Sequence, residues 1–159
     1  ISLFSCKKDD RLTMSKKPYL GNQLRIDGYY YQVWEEAKIS NINFFYENGI
    51  FLNIGGNKNS FAEAEEYINN QILVSKMYLG RKIGWGLFDI NENNIRFEVW
   101  RPSAKLYKVI VNEGKIINDT SFVITKRSRI DGSIIITVNE TYYFKKFSPK
   151  PDSTNSFVR

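Results

Sequence analysis

The chain has 159 residues, a net charge of +6, and 42% hydrophobic and 15% aromatic residues, a composition typical of one globular domain rather than a disordered chain. It contains no histidine and a single cysteine, which excludes intrachain disulfides, nucleophile systems that need histidine and nearly all zinc sites. We therefore expect no metal, no cofactor and no enzymatic activity.

The positive charge does not follow a nucleic-acid-binding pattern. Six basic and two acidic side chains lie between Cys6 and Arg25, and the remaining excess is spread along the chain. The sequence has no aromatic RNA-binding signature and no zinc-finger spacing. We therefore predict that nucleic acid is not a partner.

The first residues, 1–6, resemble the end of a secretory signal, in which apolar residues and a small residue precede a cysteine. Leu3-Phe4-Ser5-Cys6 is similar to the lipobox of bacterial lipoproteins, and this resemblance implies that Cys6 carries a lipid. The alternative is an ordinary free or buried thiol. Residues 7–24 contain Pro18 and Gly21 and are predicted to form a flexible tether.

The first predicted strand is Leu24–Trp34, and Ile42–Ile54 is predicted to form a hairpin. Asn48-Gly49 favours a two-residue turn, because both central residues of a type I′ turn need positive φ. That turn would place Phe45 opposite Leu52.

One helix is predicted, from Ser60 to Leu79. Ser60 and Glu63 match a capping box, and the C-terminal end is followed by Gly80. Apolar residues recur at helical spacing and form one stripe: Phe61, Ala64, Ile68, Ile72 and Leu79.

The clearest hairpin spans Ile83–Arg101, with a polar turn that places Ile90 opposite Ile95. One face is apolar and consists of Phe88, Ile90, Ile95, Phe97 and Val99. On the other face Trp85 lies across from Trp100, and rings of that size need a cover. The cover is either the preceding helix or a partner or ligand.

Four further strands are predicted, at Leu106–Val111, Ser121–Thr125, Ser133–Val138 and Thr141–Phe147. The last two are predicted to be joined by a tight turn at Asn139-Glu140. Residues 149–159 are predicted to be a polar tail.

About eight strands in sequential hairpins with one helix predict an all-β fold, an antiparallel up-and-down barrel over residues 25–148 with the helix at about 60–79. The pattern resembles the lipocalin-like (calycin) lipoproteins of Gram-negative bacteria, most of which are uncharacterised. The resemblance implies a lipid-anchored protein of the outer membrane, either periplasmic or surface-exposed. It is carried by Leu3–Cys6, Ile26–Tyr31, Phe45–Gly49, Trp85–Ile90, Ile95–Trp100 and Tyr142–Thr154.

Two non-catalytic functions are compatible with such a barrel. In the first, the interior binds a small apolar or amphiphilic molecule, since eight strands can enclose one small ligand. The candidate lining residues are Tyr30, Phe88, Ile95, Phe97 and Tyr143. In the second, side chains fill the interior and the protein is a structural or interaction protein of the envelope. Its outer face, with Trp85 and Trp100, would then contact protein or glycan.

Catalysis is a weaker third hypothesis. The chain has carboxylates, among them Asp27, Glu47, Asp89 and Glu98, and a close pair in a cleft could hydrolyse glycosides. No spacing in the sequence selects such a pair. Asp89, Arg96 and Glu98 are more simply explained as surface ion pairs on one strand face.

Overall fold

The computed structural model describes residues 8–76 and 78–159. Cys6 and the predicted lipobox lie outside the described residues, so the structure does not bear on the predicted lipid anchor.

Eight antiparallel strands form a closed barrel in sequential order, and β1 pairs with β8 to close it. The predicted fold class is therefore confirmed. The strands are β1 (Gly28–Trp34), β2 (Lys38–Phe45), β3 (Ile50–Ile54), β4 (Trp85–Asn91), β5 (Asn94–Ser103), β6 (Leu106–Asn118), β7 (Ser121–Arg129) and β8 (Ile135–Lys146).

The register of the central hairpin is confirmed, with Ile90 opposite Ile95. The β2–β3 hairpin differs from the prediction by one residue, because Phe45 lies opposite Phe51. Its loop is longer than a two-residue turn: the N–H of Tyr46 donates to the carbonyl of Ile50. Gly49 adopts a φ of 82°, which suits a three-residue loop with a glycine in the left-handed region.

The predicted turn at Asn139-Glu140 is wrong, because β8 runs without interruption through both residues. Glu140 accepts hydrogen bonds from Nη1 and Nη2 of Arg127 at 3.1 and 2.6 Å. The carboxylate is thus paired within the sheet, and its polarity does not require a solvent-exposed turn.

The helical connection lies between β3 and β4. Helix α1 (Phe61–Tyr67) is followed by a π-helical segment (Ile68–Val74), so regular helix ends earlier than predicted. The Ser60 hydroxyl accepts from the Glu63 N–H at 3.2 Å, as the capping box predicted. Ala64, Ile68 and Ile72 are buried against the outside of the barrel.

Among the residues that the structure describes, no helix is both long and apolar enough to cross a membrane.

The hydrophobic residues form two clusters, one inside the barrel and one between the barrel and its cover. The interior cluster is rich in aromatic rings; Phe51 stacks on Phe97 at 4.5 Å and Phe122 on Tyr142 at 4.9 Å. The outer cluster joins the helical segment to the sheet and contains Trp85 and Trp100. The helix therefore covers the apolar outer face of the central hairpin.

The terminal segments also pack against the barrel, which differs from the predicted flexible tether at 7–24 and polar tail at 149–159. In the first, the backbone N–H groups of Thr13 and Met14 donate to the Glu98 carboxylate, and Leu24 is buried in the interior cluster. In the second, Lys150 Nζ donates to backbone carbonyls and Val158 joins the outer cluster. Both segments supply cover and hydrogen bonds that the sheet lacks by itself.

Candidate ligand-binding site at the barrel mouth

The barrel interior has an apolar floor and a polar mouth. The floor contains four of the predicted lining residues, Tyr30, Phe88, Ile95 and Phe97, each no more than 3% exposed. They pack on one another around Phe45 and Phe122. Of these four, only Phe97 borders the cavity above the floor, so the aromatic residues fill the floor rather than enclose an empty cup.

Tyr143, the fifth predicted lining residue, does not lie in the interior. Its side chain is 45% exposed and its ring lies 6.1 Å from that of Tyr31. The neighbouring residue Tyr142 occupies the interior position instead and is 3% exposed. Successive side chains on a strand point to opposite faces. An assignment that is wrong by one residue, Tyr143 instead of Tyr142, therefore places an outward-facing side chain in the interior.

The polar mouth holds a cavity of about 260 Å³. It lies at the end of the barrel where β5 leads into β6 and β7 leads into β8. Its base is formed by Phe97 and the ring of Tyr142. Its walls carry six polar side chains: Asn41, Asn43, Asn53, Asn112, Arg101 and Arg127.

The asparagine side chains are held by hydrogen bonds within the sheet. Asn53 Nδ2 donates to Asn43 Oδ1 at 2.6 Å, and Asn41 Nδ2 donates to Gln32 Oε1 at 2.8 Å. Asn53 is 5% exposed, yet its Oδ1 has no hydrogen-bond partner among the described residues. A buried acceptor without a donor is rare in proteins, and it leaves one side of this amide network unsatisfied.

Arg127 is fully engaged by neighbouring side chains. In addition to the two bonds to Glu140, its Nε donates to Asn112 Oδ1 at 2.9 Å. Burial lowers the pKa of Arg127, but the Glu140 carboxylate raises it more, so the pKa lies above its ordinary value. This ion pair forms a fixed, neutral part of the wall.

The side chain of Arg101 differs from that of Arg127 in its partners. Arg101 is partly buried and lines the cavity, and its side chain makes no hydrogen bond or ion pair within the described part of the chain. Burial is the main cause that lowers the pKa of the Arg101 guanidinium from its ordinary value. The group nevertheless stays protonated at neutral pH, so a positive charge faces the cavity without a counterion.

The two tryptophans singled out on the outer face are covered from two sides. Trp85 Nε1 donates to the carbonyl of Tyr78 at 2.6 Å, after the helical segment. Trp100 Nε1 donates to the carbonyl of Asp10 at 3.0 Å, in the N-terminal segment. Both rings are buried in the outer cluster, so they are not available as an exposed partner or ligand surface.

A larger groove of about 730 Å³ lies outside the barrel, between the N-terminal segment and the C-terminal tail. Two acidic groups along it are paired, Asp9 with Lys82 at 2.6 Å and Asp10 with Lys108 at 3.1 Å, whereas the other charged side chains described there, Lys8, Arg11 and Arg159, are exposed. It is open to solvent, and none of the unpaired charged side chains described along it is buried. The cavity at the barrel mouth is therefore the stronger candidate site.

Comparison of the chain with protein-family models, with curated proteins and with solved structures gave no match. Within the described residues, no group of three or more Cys, Asp or Glu side chains is placed to hold a metal ion. The site must therefore be interpreted from its own chemistry.

The polar residues of the mouth were not among the predicted site residues, because the apolar pattern of the hairpin predicts only the floor. A usable signal was present in β5. Ile95, Phe97 and Val99 point inward, and the next inward position along the strand is Arg101. A charged residue that continues an interior series is an indication of a site.

Proposed function

We propose that this protein is a non-catalytic binding barrel that holds one small polar molecule in its mouth. The observation that carries the proposal is the cavity of about 260 Å³ inside a closed barrel, with amide and guanidinium groups converging on it. Binding sites in small barrels are commonly at the mouth and use a few placed polar groups for orientation.

A polar ligand fits this cavity better than the apolar or amphiphilic ligand expected from the sequence. The aromatic floor is packed, with ring centroids 4.9 Å apart for Phe45 and Phe88. An apolar ligand would have to displace these rings, whereas the cavity above them is bordered mainly by asparagine and arginine. Placing apolar groups against unsatisfied polar atoms is unfavourable.

We further propose that the barrel is a lipocalin-like lipoprotein tethered to the outer membrane through a lipid on Cys6. Support comes from the lipobox-like Leu3–Cys6 and from the closed eight-stranded barrel that follows it. Asp9 and Asp10, soon after Cys6, bond to the N–H groups of Tyr107 and Val109 in β6. A lipid on Cys6 would therefore hold the barrel close to the membrane surface.

Native mass spectrometry of the purified protein tests the binding function. The protein should be produced from residue 8 onward, because residues 8–24 contact the barrel and their removal would expose its outer face. We expect a bound species with one small molecule per chain, which is released when the protein is denatured. A single unliganded mass after expression in several hosts would contradict the proposal and favour an envelope interaction function.

Metabolic labelling with an alkyne fatty acid tests the tether. Full-length protein is expected to be labelled and to fractionate with membranes, and Cys6→Ala is expected to lose both properties. Lys7→Ala is the matched control and should keep the label, since the thiol is unchanged. Labelling that survives in Cys6→Ala would contradict the lipid anchor.

A further inference from the structure

We infer that the mouth cavity recognises a small hydroxylated carboxylate and that Arg101 binds the carboxylate group. The inference rests on the proposed binding function and specifies the chemical class of its ligand. Three features of the described cavity residues carry it: the guanidinium without a partner, the charge balance of the walls and the polar amide groups that line the cavity.

The partly buried guanidinium of Arg101 has no partner among the described residues that could offset its loss of contact with water. Arg101 follows Val99 in the inward series of β5 and meets no carboxylate among the described residues. Holding such a charge away from water is costly unless it is paired and hydrogen-bonded. A carboxylate matches the planar fork of a guanidinium with two parallel hydrogen bonds, so a ligand of this type would supply the missing partner.

The charge balance of the cavity indicates a monoanion. No Asp or Glu is among the described residues that line it. The charge of Arg127 is neutralised by Glu140 at 2.6 Å. Lys108, the cross-strand neighbour of Arg101, is paired with Asp10 at 3.1 Å. Among the described residues, one uncompensated positive charge therefore remains at the cavity, which suits a carboxylate better than a doubly charged phosphate.

The amides indicate that the rest of the ligand carries hydroxyl groups. Asparagine offers both donors and an acceptor, and a hydroxyl group can complement either. Asn53 Oδ1 has no donor within the described part of the chain, and Asn43 lies beside it in the same wall. A cavity of about 260 Å³ suits a ligand of the size of a simple sugar acid or hydroxy acid.

The test uses two probes that share a sugar ring and differ in charge, D-glucuronate and D-glucose, titrated into ¹⁵N-labelled protein at constant ionic strength. We expect glucuronate to shift the amide resonances of Asn43, Asn112 and Tyr142, and glucose to bind at least tenfold more weakly. Arg101→Gln is expected to weaken glucuronate binding about tenfold or more, because it removes a charge-assisted pair. Arg101→Lys keeps the charge but lacks the planar guanidinium, so its affinity for glucuronate should lie between those of the wild-type protein and Arg101→Gln.

The matched control is Lys105→Gln, which removes an exposed positive charge from the β5–β6 turn and should leave glucuronate binding unchanged. Equal binding of glucose and glucuronate by the wild-type protein would overturn the carboxylate inference and leave the binding function intact. Unchanged affinity in Arg101→Gln would overturn the role of Arg101. If neither probe shifts the mouth resonances, the inference is also overturned, while the proposed function is decided separately by the native mass of the purified protein.

Discussion

Trp85→Ala is expected to lower the free energy of unfolding by about 4 kcal/mol, as large-to-small changes of buried aromatic residues do. The Trp85 side chain is fully buried in the outer cluster, and its indole N–H donates to the Tyr78 carbonyl at 2.6 Å. Alanine would leave a cavity between helix and sheet and an unpaired carbonyl. Urea unfolding followed by far-ultraviolet circular dichroism measures the loss without relying on tryptophan fluorescence.

Two further variants test whether the expected loss of unfolding free energy in Trp85→Ala comes from the packing of Trp85 or follows the removal of any tryptophan. Trp85→Phe keeps an aromatic ring and removes the indole N–H, so about half of the loss is expected. Trp34→Ala removes a ring that is 52% exposed at the end of β1, and a change below about 1 kcal/mol is expected. Similar losses for Trp34→Ala and Trp85→Ala would contradict the assignment of Trp85 to the helix–sheet interface.

Glu98→Ala is expected to cost about 3 kcal/mol, because this carboxylate joins the N-terminal segment to β5. The Glu98 side chain is fully buried, and it accepts from the N–H and hydroxyl of Thr13 at 2.6 and 2.5 Å. It also accepts from the N–H of Met14 and from Arg96 Nη2 at 3.2 and 3.0 Å. For a domain of this length, such a loss corresponds to a thermal midpoint lower by about 10 °C.

The same carboxylate should make stability depend on pH in the acid range. Burial raises the pKa of Glu98, but the hydrogen bonds from Thr13, with Arg96 and Met14, outweigh burial and place the pKa below its ordinary value. A depressed folded pKa means that the stabilisation is complete above the unfolded value of about 4.5 and is lost as the pH falls through the folded value. The difference in unfolding free energy between wild type and Glu98→Gln should therefore shrink below pH 4.5.

Glu113→Ala is the control for both measurements. Glu113 lies on the neighbouring strand and pairs with Lys126 at 2.8 Å and Arg96 at 3.3 Å, but its side chain is 33% exposed. Exposed pairs contribute little, so a loss below about 1 kcal/mol is expected. If Glu113→Ala destabilises the protein as much as Glu98→Ala, the effect arises from Arg96 and not from the docking of the N-terminal segment.

Glu98 also shows which features of the structure could be predicted from the sequence and which could not. In the sequence it alternates with Phe97 and Val99, which predicts the face opposite the core, and a surface ion pair with Arg96 is the simplest interpretation. The ion pair is present, but the carboxylate is fully buried. The burial comes from Thr13 and Met14, which are more than 80 residues away along the chain. Strand alternation cannot predict which distant segment will cover a face.

The same limit applies to the candidate site. Ile90 and Ile95 were placed opposite each other correctly because a hairpin register depends on a local turn and on local alternation. The cavity depends on side chains from β2, β3, β5, β6, β7 and β8, which only barrel closure brings together. Glu140 was assigned to a turn because its partner, Arg127, could not be identified from the sequence.

The sequence by itself determined the strand-rich architecture, the capped helix and the order of sequential hairpins, because these follow from turn chemistry and side-chain periodicity over a few residues. The tertiary structure alone decided that the terminal segments dock on the barrel, that the aromatic floor is filled and that the Arg101 guanidinium meets no carboxylate among the residues that the structure describes. These outcomes depend on which distant side chains meet, and that is fixed by closure of the sheet and by the volumes and charges brought together inside it.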